Sequence, residues 1–402
     1  MPDVFVENRN GVKTTIIISS EFDVITKGTK KYSTIPAEVI ASDFARFFAK
    51  INGNSYVFNS HTSLDFFSLY AFSKENEIRA NLYEHMDEVY FHQSRSTVGG
   101  DAIFPIRNFF DIDVASVGKE VSLVSGGFFL LQTKEVDSRY NWFGDPFGML
   151  VSNFKVYSYS TFKRSCIIQD DENNCFFDRL CCEDFDYGYN NIWHTPIFVY
   201  SRSNIQSHIY LNCEKGFVDY LLLNGIVLDK KYSGRMECPV SGIIVRFTYK
   251  DAPDWEIGLR IDVRFSKNKK RIKFAIQCAP ALIVDNNIAL KNSSFYDDYL
   301  YDFNNSECLV PRIYAKGCMI GCDRIKAGIG FTRNKDLMWC ALESSDSITF
   351  SLFDVAKKLL EYGAVIAIAL DGGGSVKAYH NFNEIVGAKD KRRSNPYFIE
   401  LR

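Results

Sequence analysis

An aspartate followed directly by three glycines and a serine, Asp371-Gly372-Gly373-Gly374-Ser375, is the segment of this chain best suited to chemistry. Consecutive glycines leave the backbone without Cβ cover, so successive N–H groups could converge on one anion as a nest. The carboxylate beside them could transfer a proton or bind a sugar hydroxyl, and glycoside cleavage needs carboxylates next to the anomeric carbon. Ser375 could hold a phosphate oxygen, or bond only its own turn. The segment is not a P-loop, because no Lys-Ser/Thr pair and no helical pattern follow it, and Val376-Lys377-Ala378-Tyr379 reads as another strand. A tight hairpin that holds no ligand is the plainer alternative.

Two further groups could work with Asp371. Glu343 ends the apolar run Leu337-Met338-Trp339-Cys340-Ala341-Leu342 and is the best second carboxylate, with Asp346 its rival. His380, five residues after Ser375, has an ordinary pKa suited to acid, base or phosphate-donor work. A solvent-facing glutamate and a surface histidine are the competing readings. His194 and His208 have no supporting constellation and read as structural. The acids Asp170-Asp171-Glu172 and Asp297-Asp298 read as loop charge, since no EF-hand spacing surrounds them. Neither a metal nor a cofactor is expected.

Local elements must hold the loop in place. Ser351-Leu352-Phe353-Asp354 forms a capping box, and Leu352, Val355, Ala356, Leu359 and Leu360 recur at helical spacing, which predicts a helix over residues 352–362 that Gly363 ends. The continuous apolar run 364–370 then reads as a strand buried on both faces. Its carboxyl end delivers Asp371, the position at which open α/β sheets place ligand loops. Nearer the N-terminus, the spacing of Phe44, Phe47 and Phe48 predicts a helix over residues 40–51, in a segment 1–84 to which no chemistry is assigned. From Val121 onward, short apolar runs are broken by Gly, Asn and Asp.

Composition agrees with a strand-rich architecture. The 402 residues include 34 Phe and 22 Tyr, an aromatic excess that favours an α+β fold with a β-rich, largely antiparallel or mixed sheet core and few helices. A formal charge of −2 gives no global basic footprint for nucleic acid. The run Lys267-Asn268-Lys269-Lys270-Arg271 reads as a solvated turn between strands with no aromatic platform beside it. No apolar run reaches the roughly 18 residues of a membrane span, and MPDVFVENRNGVK has no apolar signal core. A cytoplasmic protein without membrane or nucleic-acid partners is expected.

Several ordered motifs resemble the phosphodiester glycosidases. Ser125-Gly126-Gly127-Phe128-Phe129 resembles that family's Asn-Gly-Gly-Phe-Phe, and Pro146-Phe147-Gly148 its Pro-x-Gly segment. Pro239-Val240-Ser241-Gly242-Ile243 and the stretch from Phe274 to Ile283 are similar to two later strand segments. Lys326-Ala327-Gly328-Ile329-Gly330 stands where the family has Arg-Thr-Ala-Ile-Gly, and Arg392-Arg393-Ser394-Asn395 resembles its closing arginine segment. Leu370 to Ser375 matches Leu-Asp-Gly-Gly-Gly-Ser outright.

The resemblance spans residues 85–402 and implies a domain that hydrolyses a glycosyl phosphodiester, a small-molecule sugar-phosphate substrate. It implies catalytic roles for Asp371 with Glu343 or His380. Substrate contacts fall to Gly372, Gly373, Gly374, Ser375, Lys326, Arg324, Arg393, Ser125, Gly126 and Gly127. Ser125, Lys326 and Ala327 depart from the family pattern. A lysine meets phosphate as a point charge and lacks the two-pronged fork of a guanidinium, which Arg324 could supply instead. These departures sustain a second reading, a viral or phage structural or binding protein that keeps the fold without turnover and acts in a homo-oligomer or viral assembly. A nucleotide-binding protein is a third.

All 11 cysteines lie between Cys166 and Cys340, an odd number with no CxxC pair and a poor zinc pattern. Thiol titration of the denatured, unreduced protein is expected to find all 11 free; several protected pairs would refute a thiol-reduced protein.

Overall fold

The computed structural model describes residues 1–26, 120–129, 140, 146–202, 210–290, 325–344, 348–381, 383–387 and 397–402, and only the backbone of strands between residues 31 and 103. Three strands open the chain: β1 (Asp3–Arg9), β2 (Val12–Ser19) and β3 (Phe22–Thr26). The elements that frame the glycine loop follow as β4 (Ser122–Ser125), β5 (Ala281–Val284), β6 (Asn287–Ile288), β7 (Lys326–Thr332) and β8 (Leu337–Ser344). Helix α1 (Leu352–Glu361), β9 (Ala364–Ala369), β10 (Lys377–His380), β11 (Asn383–Gly387) and β12 (Tyr397–Leu401) complete the set.

Two antiparallel sheets carry these strands. One has seven, in the order β1-β2-β8-β7-β9-β5-β6, and the other has five, in the order β3-β12-β4-β10-β11. The first 26 residues therefore share both sheets with the C-terminal third, β2 pairing with β8 from Val12↔Ser344 to Ser19↔Leu337. Side chains that alternate along a strand go to opposite faces. On β2 and β8, Ile16, Met338, Cys340 and Leu342 face the core under α1, while Ile17, Trp339 and Ala341 face the core on the other side. The fold class read from composition, α+β and strand-rich, holds; α1 is the one α-helix among the described residues.

Helix α1 forms as its spacing predicts. The Ser351 N–H donates to the Asp354 carboxylate at 2.8 Å, and Leu352, Val355, Ala356 and Leu359 are buried on the seven-stranded sheet. Gly363, at φ +94°, takes the left-handed turn that stops the helix and starts β9. Gly328 of β7 lets the helix come close, since a Cβ there would stand 2.7 Å from Leu282 and 3.0 Å from Leu359.

Residues 146–277 add further sheets, the largest ordering Lys155–Ser158, Leu150–Ser152, Ile272–Gln277, Arg164–Asp170 and Cys175–Leu180. The buried Gln277 amide ties this layer together, accepting from the Met149 N–H at 3.0 Å and donating to the Leu180 carbonyl at 2.8 Å. Deeper in, the Arg246 guanidinium makes a two-pronged pair with buried Asp219 at 2.7 and 3.0 Å and reaches Glu214 at 2.9 Å.

Two expectations are corrected. Residues 40–51 form two antiparallel strands, Val39–Asp43 and Arg46–Ile51, with Ile40 opposite Phe48, and not a helix. Their β-branched and aromatic residues favour a pleated backbone, and Phe44, which completed the helical spacing, lies outside the described residues. The basic turn does have aromatic neighbours, brought from distant strands: the Arg271 guanidinium lies 4.6 Å from the Phe154 ring centre and 6.0 Å from that of Trp193. Two of its three lysines are spent on acids, Lys269 on Asp186 at 2.9 Å and Lys270 on Glu172 at 2.6 Å.

Gly330 tests the contact between β7 and β9, because a Cβ there would overlap the Ile366 carbonyl oxygen and lie 2.7 Å from the Ala367 Cβ. Backbone cannot rotate aside, so Gly330→Ala is expected to cost about 1–3 kcal/mol. A chemical-denaturation midpoint equal to wild type would show that the two strands do not approach as described.

Candidate functional site

The glycine loop takes its shape from the ladder between β7 and β9, which continues past the end of β9. The Leu370 N–H donates to the Ala327 carbonyl at 3.0 Å, and the Gly373 N–H to the Ile325 carbonyl at 2.7 Å. Between them, the Gly372 N–H turns back onto the Asp371 carboxylate at 2.8 Å. Gly373–Ser375 then makes one short 3-10 turn, in which the Ser375 N–H meets the Gly372 carbonyl at 3.4 Å. Gly373 sits at φ +63°, where glycine is favoured.

Two features differ from the sequence reading. The strand that delivers Asp371 has antiparallel neighbours, so the loop does not lie at the crossover of an open parallel sheet. The amides of Gly372, Gly373 and Ser375 also already donate within the chain. They form a braced turn and not a row of amides aimed at one anion.

A second glycine loop packs beside it. Ser125, at the end of β4, is buried, and its hydroxyl accepts the Lys377 N–H at 3.2 Å. The Gly126 N–H donates to the Tyr397 carbonyl at 3.2 Å, and the Gly127 N–H donates to the Tyr397 phenol oxygen at 2.5 Å. The Tyr397 ring occupies the space that a Cβ on Gly126 would need, and a Cβ on Gly127 would stand 3.5 Å from Cys278. These glycines are thus required by the packing of Tyr397.

Electrostatics link the two loops. Burial pushes the Cys278 thiol up to about 12, with the charge of Asp371 adding to the rise and that of Arg164 opposing it. Burial likewise holds the Tyr397 phenol far above its usual range, and Cys278 and Asp371 push the same way. Both of these neighbours are neutral at ordinary pH. Nearby, the buried Arg164 guanidinium lies 5.1 Å from the Phe147 ring centre, 5.3 Å from Phe162 and 5.9 Å from Phe128 of the Ser125–Phe129 motif.

The remaining sequence-derived residues divide. Lys326 begins beside the loop, one residue after Ile325, but its side chain is buried with the ammonium 5.6 Å from the Phe350 ring centre. Glu343 is engaged by Lys13 at 3.4 Å, and Lys13 also donates to the Ile385 carbonyl of β11 at 2.6 Å. His380 shares a hydrogen bond with the Ser122 hydroxyl at 2.8 Å and another with Asn381 at 3.0 Å, and burial lowers its pKa. It stands about 10 Å along β10 from Lys377, at the rise of an extended strand. The structure thus brings Asp371, Gly372, Gly373, Gly374 and Ser375 close to Ser125, Gly126 and Gly127, and gives Glu343 and His380 other partners. Arg324, Arg393, Asp346, His208, Asp297 and Asp298 lie outside the described residues. Sequence reasoning assigned nothing to Tyr397, Cys278 or Arg164. Of these, only Cys278 carried a signal, inside the stretch 274–283 that resembles the family.

Among the described residues no group of three His, Cys, Asp or Glu side chains is placed to hold a metal ion, and no helix is long and apolar enough to cross a membrane.

Residues 224–399 match the family model described as phosphodiester glycosidase. The match contains Cys278, Lys326, Asp371 and Tyr397 and leaves the Ser125–Phe129 motif upstream. Among solved structures, a protein from Synechocystis is 13% identical with TM-score 0.38, covering 100% of this chain and 76% of its own. A protein from Burkholderia pseudomallei is 11% identical with TM-score 0.40, covering 100% and 96%. The catalytic domain of zebrafish N-acetylglucosamine-1-phosphodiester alpha-N-acetylglucosaminidase, auto-inhibited by its pro-peptide, is 10% identical with TM-score 0.36, covering 96% and 94%. No curated protein matches the chain.

The raised pKa of Cys278 gives a direct expectation. At pH 8 a thiol titrating at about 12 is ionised in only about one molecule in 10⁴, and the thiolate is the reactive form. Native protein treated with a thiol reagent at pH 8 and mapped by mass spectrometry should keep Cys278 unmodified until denaturant is added; rapid native labelling would contradict the burial.

Proposed function

We propose that this chain hydrolyses a glycosyl phosphodiester or a related sugar-phosphate linkage, with Asp371 as the carboxylate that transfers a proton or stabilises charge at the anomeric centre. The observation that carries the reading is the convergence of Asp371 and Tyr397, both within the residues that match the phosphodiester glycosidase family model, with the Gly126–Gly127 loop from upstream of that match. Asp371 is only partly buried, so a substrate can reach it, while the Gly126–Gly127 loop and Tyr397 form a buried wall beside it. With the amides of Gly372, Gly373 and Ser375 engaged, phosphate contacts fall to side chains: the Ser375 hydroxyl, and Lys326, Arg324 and Arg393 as the resemblance implies.

The same engaged amides favour a second reading, a binding or structural domain that keeps the fold without turnover. A Lys326 ammonium lying over Phe350 supports it as well. A panel of sugar-1-phosphodiesters and nucleotides, assayed for turnover and for thermal shift, separates the readings. Turnover supports the hydrolase, a thermal shift without turnover supports a binder, and neither response supports a structural role.

Asp371 provides the sharper test. Strand β9 buries its apolar residues without help from the carboxylate, so Asp371→Asn is expected to change stability by no more than about 1 kcal/mol. Loss of a proton-transferring group typically costs about 10²- to 10⁴-fold in rate. Turnover should therefore collapse with the melting temperature almost unmoved, whereas an unfolded variant, or one with full activity, would make Asp371 a structural loop residue.

A further inference from the structure

We infer that Tyr397 is a positioning residue of this site, whose phenol oxygen fixes the Gly126–Phe128 loop in register with the Asp371 loop. The inference rests on the hydrolytic reading above for its kinetic consequence, but the geometry stands apart from it.

Tyr397 holds the glycine loop at three points: its carbonyl accepts the Gly126 N–H at 3.2 Å, its phenol oxygen accepts the Gly127 N–H at 2.5 Å, and its ring covers Gly126 so closely that any side chain there would overlap it. Cys278 packs beside the phenol, since a Cβ on Gly127 would stand 2.9 Å from the Tyr397 hydroxyl and 3.5 Å from both the Cβ and the Sγ of Cys278. Gly127 is thus held against a phenol and a thiol, both of which the Asp371 charge reaches. The backbone of Tyr397 is itself fixed, because β12 lies between β3 and β4 and pairs with both.

A tyrosine that only filled space would need no aligned hydroxyl. Phenylalanine carries the same ring and would satisfy Gly126 equally well. What tyrosine adds is an acceptor for one amide at the tip of the loop, whose loss would leave a buried N–H without its bond. The loop would then shift by tenths of an ångström up to about 1 Å, and a displacement of about 1 Å from productive geometry can cost as much as about 10²-fold in rate.

The test uses the whole chain and the variant Tyr397→Phe, with two readouts. With a sugar-1-phosphodiester that wild type turns over, kcat is expected to fall about 10- to 100-fold while KM stays within about twofold, as for an interaction that orders the reacting groups. Independently of any substrate, native labelling of Cys278 by a thiol reagent should speed up at least about tenfold, because a loosened Gly127 uncovers the thiol. Unchanged kcat together with unchanged Cys278 labelling overturns the inference. Wild type inactive on every phosphodiester overturns the hydrolase reading alone, and the labelling comparison still decides the role of Tyr397. Should the variant fail to fold, amide exchange in wild type decides it: slow exchange at Gly127 supports the clamp, and exchange as fast as at an open loop overturns it.

Discussion

The ladder between Lys326–Thr332 and Ala364–Ala369 is the interaction on which the site depends. Its bonds do not stop where the strand geometry stops, for the Leu370 and Gly373 N–H groups still find carbonyls on the neighbouring segment, at Ala327 and Ile325. Asp371 therefore leaves the sheet at a fixed point and in a fixed direction. Burial on both faces of this sheet gives the ladder its rigidity, since backbone groups shielded from water cannot exchange partners cheaply. The same bonds occupy the amides that a phosphate nest would have used, so the loop is stiff because it is internally satisfied.

Packing extends that constraint outward. Gly328 lets α1 settle against the sheet, Gly330 lets β9 approach β7, and Gly126 admits the Tyr397 ring. Each is a point where a missing side chain on one element is filled by atoms of another, so the glycine content near the site serves close contact more than backbone freedom. Only Gly373 in the Asp371 loop takes a positive φ among its three glycines.

Much of this was legible in the sequence where the determinants are local. The capping box at Ser351, the apolar spacing through Leu359 and the run from Ala364 sit next to one another, and helix, turn and buried strand follow as expected. Determinants that act at a distance were not legible. Ser125-Gly126-Gly127 was recognised as a loop, but its reason is a tyrosine ring 270 residues further on. No spacing rule links Gly373 to the carbonyl of Ile325, so the nest was expected where a braced turn formed. The sequence offers Glu343 as a second carboxylate because its partner, Lys13, comes from the other end of the chain. Residues 40–51 pair as strands where the spacing predicts a helix, because Ile40, Phe47 and Phe48 suit a pleated backbone as well as a helical face.

The pairing of β2 with β8 also bears on how the molecule is made. Lys13 and Glu343, opposite one another in that ladder, are separated by 330 residues. A ribosome adding roughly 5–20 residues per second takes on the order of tens of seconds to cover that interval. Throughout it, the Ile16-Ile17-Ile18 segment has been synthesised while its β8 partner has not, leaving an apolar strand edge unpaired on that side. That edge of β2 gains its native partner only when residues 337–344 emerge.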